Sequence, residues 1–362
     1  MPKCALPVVL LFAAVAAGQT APTDANQRFA ALRDAYLAKF KPLFLESEAA
    51  WWEANITGAD AAYARKTAAD QALVDLHSDR AVFARLKELK DAGVTDATLH
   101  RELDVMYRSF LAGQADPQLQ KQIVALENDV EQIFNTHRSP VGDKTLTENG
   151  IRDILANSTN SAEVEAAWKG YMEVGRKADE KLRRLVQLRN EKARQLGFSD
   201  FFTLSLALQE IDPAELFKLF DELDALTRAP FAQLKADLDK ERATRFGIAP
   251  AELRPWHFGD LFFQEAPAST AVDLDGLFKD TDLLALAKKY YASIGLPADD
   301  ILARSDLYEK PGKCPHAFCS DLDRAGDIRV LANLQPNVYW ANTILHELGH
   351  GVYDKYIRPD VP

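Results

Sequence analysis

Apolar residues recur at three- and four-residue spacing almost without interruption from residue 25 to about residue 197. That period admits a mainly helical fold and little else. In the first segment, 27–40, Phe29, Leu32, Ala35, Tyr36 and Phe40 fall on one stripe, and Pro42 predicts its end. Further helices are expected at 44–56, 59–77, 79–91, 96–113, 117–136 and 149–156. Ser161, followed by the early acid Glu163, reads as the cap of a helix that runs to Gly175. The next is 177–196, ended by Gly197, and 201–209, 213–246 and 280–294 continue the series. No fixed-period repeat or low-complexity linker appears, so neither a solenoid nor a domain boundary is expected.

The character changes after Lys310-Pro311-Gly312. Segments 317–320 and 328–334 flank the turn residues 323–327 and read as a β-hairpin. Pro336-Asn337 then leads into a helix with an apolar face of Ile344, Leu345, Leu348 and Val352. Before the hairpin, 253–265 is aromatic but has neither a helical nor a strand period. Its Trp256 and His257 are read as an aromatic core cluster in preference to a cleft lining. The expected fold is mainly α, with one small sheet beside the helix near the end of the chain.

The chain has 362 residues, 47% hydrophobic and 27% charged, with a net charge of −11. The acidic balance excludes nucleic acid and an anionic membrane surface as partners. Residues 1–18 have the layout of a cleavable signal peptide: Lys3, an apolar run from Leu6 to Val15, then Ala16-Ala17-Gly18 before Gln19. The apolar run is too short to span a bilayer. A secreted or periplasmic protein with no membrane anchor after cleavage is therefore expected. Cys314 and Cys319 remain after cleavage. If the residues between them are extended they stand about 16 Å apart, too far for a bridge, although a local turn could close one. Free or loosely paired thiols are the expectation.

The late helix carries His346-Glu347-Leu348-Gly349-His350. Residues four apart project from one helix face, so His346 and His350 can present two imidazoles to one Zn²⁺, with Glu347 beside it as a general base. A catalytic zinc needs a third protein ligand. A histidine six residues beyond His350 is excluded, because Tyr356 stands there and Tyr353 replaces the accompanying glycine. No Glu occurs in 351–362. Asp354 shares the helix face, but it lies about 12 Å along the axis from His346, beyond reach of the same ion. Asp360 could reach only by folding back. The expectation is that the chain is incomplete at its C-terminal side.

Several stretches resemble one family. The run 307–321, which includes Lys313-Cys314-Pro315-His316-Ala317-Phe318, together with 328–330 and His346-Glu347-Leu348-Gly349-His350, resembles the angiotensin-converting-enzyme family of zinc peptidases. It is similar also to the related oligoendopeptidase and thimet-oligopeptidase families. Residues 188–198 resemble a helix end found in all of them, and Glu48, Trp51 and Asn55-Ile56-Thr57 resemble the converting-enzyme N-terminal region. The resemblance implies a large, deeply clefted helical gluzincin fold, with 19–362 as the N-terminal and central part of a single catalytic domain. It implies Zn²⁺ as cofactor, oligopeptides as substrate and release of C-terminal dipeptides. Oligoendopeptidase cleavage and a non-catalytic peptide-binding fragment are the alternatives. Residue by residue, His346 and His350 match zinc ligands and Glu347 the general base. His316 matches a histidine that hydrogen-bonds the substrate backbone, and Ala317 a strand residue whose main chain pairs with the peptide. The cysteine spacing departs from the family's disulfide. The family's third ligand and transition-state tyrosine would fall beyond Pro362.

Overall fold

The computed structural model of the chain describes residues 24–263 and 274–357; the leader expected at 1–18 lies outside them. Among the described residues are twelve α-helices and two two-stranded antiparallel sheets, the mainly α architecture that the periodicity predicts. α1 (Asp24–Thr57) and α2 (Asp60–His77) pack along one another as a helical hairpin turned at Gly58. α3 (Arg80–Ala92) and α4 (Ala97–Ala112) close over the start of α1 through Phe29, Leu32, Leu86, Leu103 and Phe110. α5 (Pro117–Thr136) leads into the small hairpin β1 (Ser139–Val141) and β2 (Lys144–Leu146), which no sequence period signals. α6 (Glu148–Asn157) and α7 (Ser161–Gln195) follow, α7 lying against α5. α8 (Phe201–Leu208) and α9 (Pro213–Phe246) complete this half. No helix among the described residues is long and apolar enough to cross a membrane.

Acidic side chains start many of these helices. Asp79, Asp96, Asp116 and Asp212 each accept a backbone N–H of the following turn and so satisfy donors with no partner inside the helix. α7 is capped by Asn160, one residue before the serine that the sequence suggests. Two expected breaks are absent. α1 continues through Pro42, where Ala38 and Pro42 are both exposed, so water can take the carbonyl that the proline leaves unbonded. α7 continues through the exposed Gly175. The glycine costs about 1 kcal/mol, which packing at both ends offsets: Val164, Ala167 and Tyr171 lie in one apolar cluster, Leu185 and Leu188 in another.

The second half is built around a separate core. α10 (Leu283–Ser293), the short α11 (Asp299–Arg304), β3 (Phe318–Asp321), β4 (Ile328–Leu331) and α12 (Val338–Lys355) enclose Tyr291, Ile301, Val330, Ile344 and Leu348. β3 and β4 are antiparallel, with Phe318 opposite Leu331 and Asp321 opposite Ile328, as the turn residues predict. Trp256 packs into the cluster formed by α6 and α7. His257 is buried, with Nε2 2.8 Å from the Ser161 hydroxyl and Nδ1 accepting the Arg254 N–H. That pair is core, as expected.

Candidate active site

α12 begins where the Asn337 side chain accepts the Trp340 N–H at 2.9 Å. Trp340, Ala341, Ile344, Leu348 and Val352 are buried against β4, α10 and α11. Burial of one large apolar side chain is worth about 1.5–3 kcal/mol, so this face fixes the rotation of the helix. The opposite face presents His346 and His350, both exposed. Behind them, the Tyr291 hydroxyl of α10 donates to the Leu345 carbonyl. Gly351 brings the hairpin close: a Cβ there would stand 3.1 Å from Ile301 Cδ1 and 3.3 Å from Cys319 Sγ.

The Nε2 atoms of His346 and His350 are 3.1 Å apart. Two nitrogens bound to one tetrahedral Zn²⁺ at 2.0–2.1 Å are separated by roughly 3.3 Å, so the pair fits the ion. Among the described residues no group of three or more His, Cys, Asp or Glu comes together as a metal site; these two histidines are the pair that could contribute to one. Glu347 is 8% exposed and faces β3 from α12, near the Cys319 backbone N–H. Burial pushes its carboxyl above the usual range, and His346 and His350 pull the other way.

Among the described residues, β3 has a strand partner on one side only. A strand with a free edge can accept an extended peptide through backbone hydrogen bonds, and Ala317 is the residue immediately before it. Phe318 is held from the other half of the molecule by Trp51, with ring centroids 4.4 Å apart, and by Trp52 edge-on. The approach to β3 is pinned by Lys313, whose fully buried ammonium donates to Asp306 Oδ1 at 2.7 Å and to the Asp306, Tyr308 and Ala332 carbonyls. Burial pulls its pKa down while Asp306 opposes; Asp306, in turn, is held low by Lys310 and Lys313 against its own burial. The pair fixes the geometry of the chain leading into β3. Cys314 and Cys319 are unpaired, and burial pushes both thiols up to about 12.

His316 lies between Lys313 and β3. Its ring is edge-on to Phe134 of α5 at 5.1 Å and to Phe262 at 5.3 Å. Its Nε2 is 3.3 Å from Glu148 Oε2, a charge contact without hydrogen-bond alignment. Glu148 opens α6 and is 9% exposed. Arg152 Nε donates to its Oε1 at 2.9 Å, and the Tyr171 hydroxyl to its Oε2 at 3.1 Å. Burial alone would raise the Glu148 carboxyl, but His316 and Arg152 together hold it below the usual carboxylate range. This acidic floor has no mark in the sequence. An acid just after the capping Thr147 reads as an ordinary first-turn residue, and nothing local distinguishes it from an exposed one.

A model of the angiotensin-converting enzyme peptidase family matches residues 21–358. The chain belongs to the angiotensin-converting enzyme family. A relative in that family, angiotensin-converting enzyme from Theromyzon tessulatum, is 23% identical over 346 residues, which cover 86% of this chain and 55% of the relative. The chain thus spans about half the length of that converting enzyme. The helical architecture and the placement of the His346 helix beside a hairpin agree with the family that the residues themselves suggest.

Proposed function

We propose that the protein is an exported zinc peptidase of the converting-enzyme type, which removes dipeptides from the C-termini of oligopeptides. The observation that carries this is the His346–His350 pair, at 3.1 Å on the open face of α12, beside a buried Glu347 and a strand with a free edge. His346 and His350 are assigned as zinc ligands, Glu347 as general base, and His316 and Ala317 as contacts to the substrate backbone. When bound, zinc supplies Lewis acidity that polarises a peptide carbonyl and makes nearby water acidic close to pH 7. Glu347 takes the proton of the attacking water on a carboxylate oxygen and then delivers it to the leaving amine nitrogen. Its apolar surroundings suit both halves of that task, because a carboxyl raised toward neutrality both accepts and releases a proton readily. Ala317 and the β3 edge hold the peptide extended, and His316 hydrogen-bonds its main chain. The dipeptide specificity and the export through residues 1–18 follow from the family resemblance and the leader-like N-terminus.

The test uses the full-length protein purified from its native host. Glu347→Gln should keep zinc at one ion per site and lower kcat by about 10²–10⁴-fold. Product analysis should show dipeptides from free C-termini and none from amidated peptides, and the mature N-terminus should begin at Gln19. Unchanged turnover in Glu347→Gln would overturn the mechanism; internal cleavage of amidated peptides would favour the oligoendopeptidase alternative.

A further inference from the structure

We propose that Asn333 is a positioning residue for the strand edge before β3: its side-chain amide ties the backbone of Cys314 and Pro315 to the chain that leads into α12, and so sets where residues 316–317 stand relative to His346 and His350. The proposal rests on the reading of that edge as the place where a peptide pairs, and adds what holds the edge at its distance from the histidine helix.

The β3–β4 ladder ends at Phe318 and Leu331. Continued by two residues, its register would set Ala317 against Ala332 and His316 against Asn333. The chain after β4 turns away instead: Ala332 donates to the Asp306 carbonyl and Leu334 to the Leu307 carbonyl, each at 2.9 Å. Pro315 has no N–H to offer a ladder. The two strands therefore part where the edge begins, and one side chain closes the gap. Asn333 Nδ2 donates to the Cys314 carbonyl and to the Pro315 carbonyl, both at 3.0 Å. Both partners are acceptors, which fixes the amide nitrogen as the atom that faces them.

The amide serves this contact at a cost. Asn333 is 3% exposed, and its Oδ1 is buried with no hydrogen-bond partner among the described residues. An apolar side chain would avoid that orphaned oxygen, so the two N–H donors are what the position gains from an asparagine. Its backbone is anchored from behind: Asn149 Nδ2 donates to the Asn333 carbonyl at 3.1 Å, and Asn149 Oδ1 accepts the Trp340 indole N–H at the start of α12. On the far side, the Cys314 N–H donates to the Asn55 carbonyl near the end of α1, and Arg138 donates to the Lys313 carbonyl. Lys313 makes a parallel tie to Ala332, three residues before His316; Asn333 reaches the residue next to it. A peptide paired with 316–317 carries its reacting carbonyl with that edge. A displacement of about 1 Å takes the carbonyl out of line with the groups on α12, and misplacement of that size costs about 10²-fold in rate.

Asn333→Ala in the full-length zinc enzyme tests this. It should lower kcat/KM for peptides about 10–100-fold, with zinc at one ion per site and unchanged affinity for acetohydroxamate, a probe that meets the metal and not the edge. The Cys314 amide should exchange its hydrogen about tenfold faster, while the amides of α12 keep their wild-type rates. Unchanged peptide turnover, a wild-type exchange rate at Cys314, or a loss of acetohydroxamate affinity equal to the loss of turnover would overturn the proposal. Peptides methylated in turn at each backbone nitrogen test the edge separately. If the wild type cleaves all of them as well as the parent, the peptide-pairing reading fails, and the exchange at Cys314 still decides whether Asn333 holds the segment. Should Asn333→Ala not fold, Asn333→Ser leaves a smaller cavity and a hydroxyl one bond too short to reach either carbonyl. It should give the same pattern, and wild-type turnover and exchange in that variant would overturn the proposal equally.

Discussion

Glu148 also connects the site to acid stability. Its folded carboxyl lies below the usual value because His316 and Arg152 outweigh its burial. A depressed carboxyl contributes stability above its unfolded pKa of about 4.3 and loses it as the pH falls through the folded value. Wild type should therefore exceed Glu148→Gln in urea stability at pH 7, with the gap shrinking steadily below about pH 4.3. A gap that does not change with acidification would mean that the carboxylate gains nothing from its neighbours. The juxtaposition of His346 and His350 was legible at this scale because their spacing is local: four residues on a helix are neighbours whatever the rest of the fold does. His316 was found only through resemblance, and its partner Glu148 not at all, since a contact across 168 residues leaves no period to read.

Helices were the legible elements, and their interruptions were misread. Pro42 and Gly175 have the local chemistry of helix ends, yet each lies inside a long helix that tertiary packing sustains. α11, only six residues long, and the three-residue strands β1 and β2 are too short to show a period. α12 is the opposite case, with an apolar stripe strong enough to set both its type and its rotation. Leu348 is fully buried at the middle of that stripe, so Leu348→Ala should cost about 2–5 kcal/mol in denaturant unfolding. A cost below about 1 kcal/mol would show that this face does not hold the helix.

Across the whole molecule, apolar surface is distributed unevenly. Along α9, Phe217, Phe220, Leu226, Phe231 and Leu234 are all more than half exposed, Leu226 at 73%, a larger apolar face than soluble surfaces ordinarily carry. This chain should bind an environment-sensitive apolar dye, and Leu226→Asp with Leu234→Asp should remove most of that signal with the helical circular dichroism unchanged. Undiminished dye binding would place the accessible surface elsewhere. The two halves of the molecule meet through contacts of great sequence separation: the Trp340 indole donates to Asn149 Oδ1 across 191 residues, beside the Glu148–His316 pair. At a translation rate of about 5–20 residues per second, roughly 10–40 s pass between the synthesis of α6 and the arrival of its partners. Throughout that interval the ribosome holds a chain whose first helices are finished while Glu148 and Asn149 await groups not yet made. This junction between the two halves is begun early in the life of the molecule, and it is among the last parts of it to close.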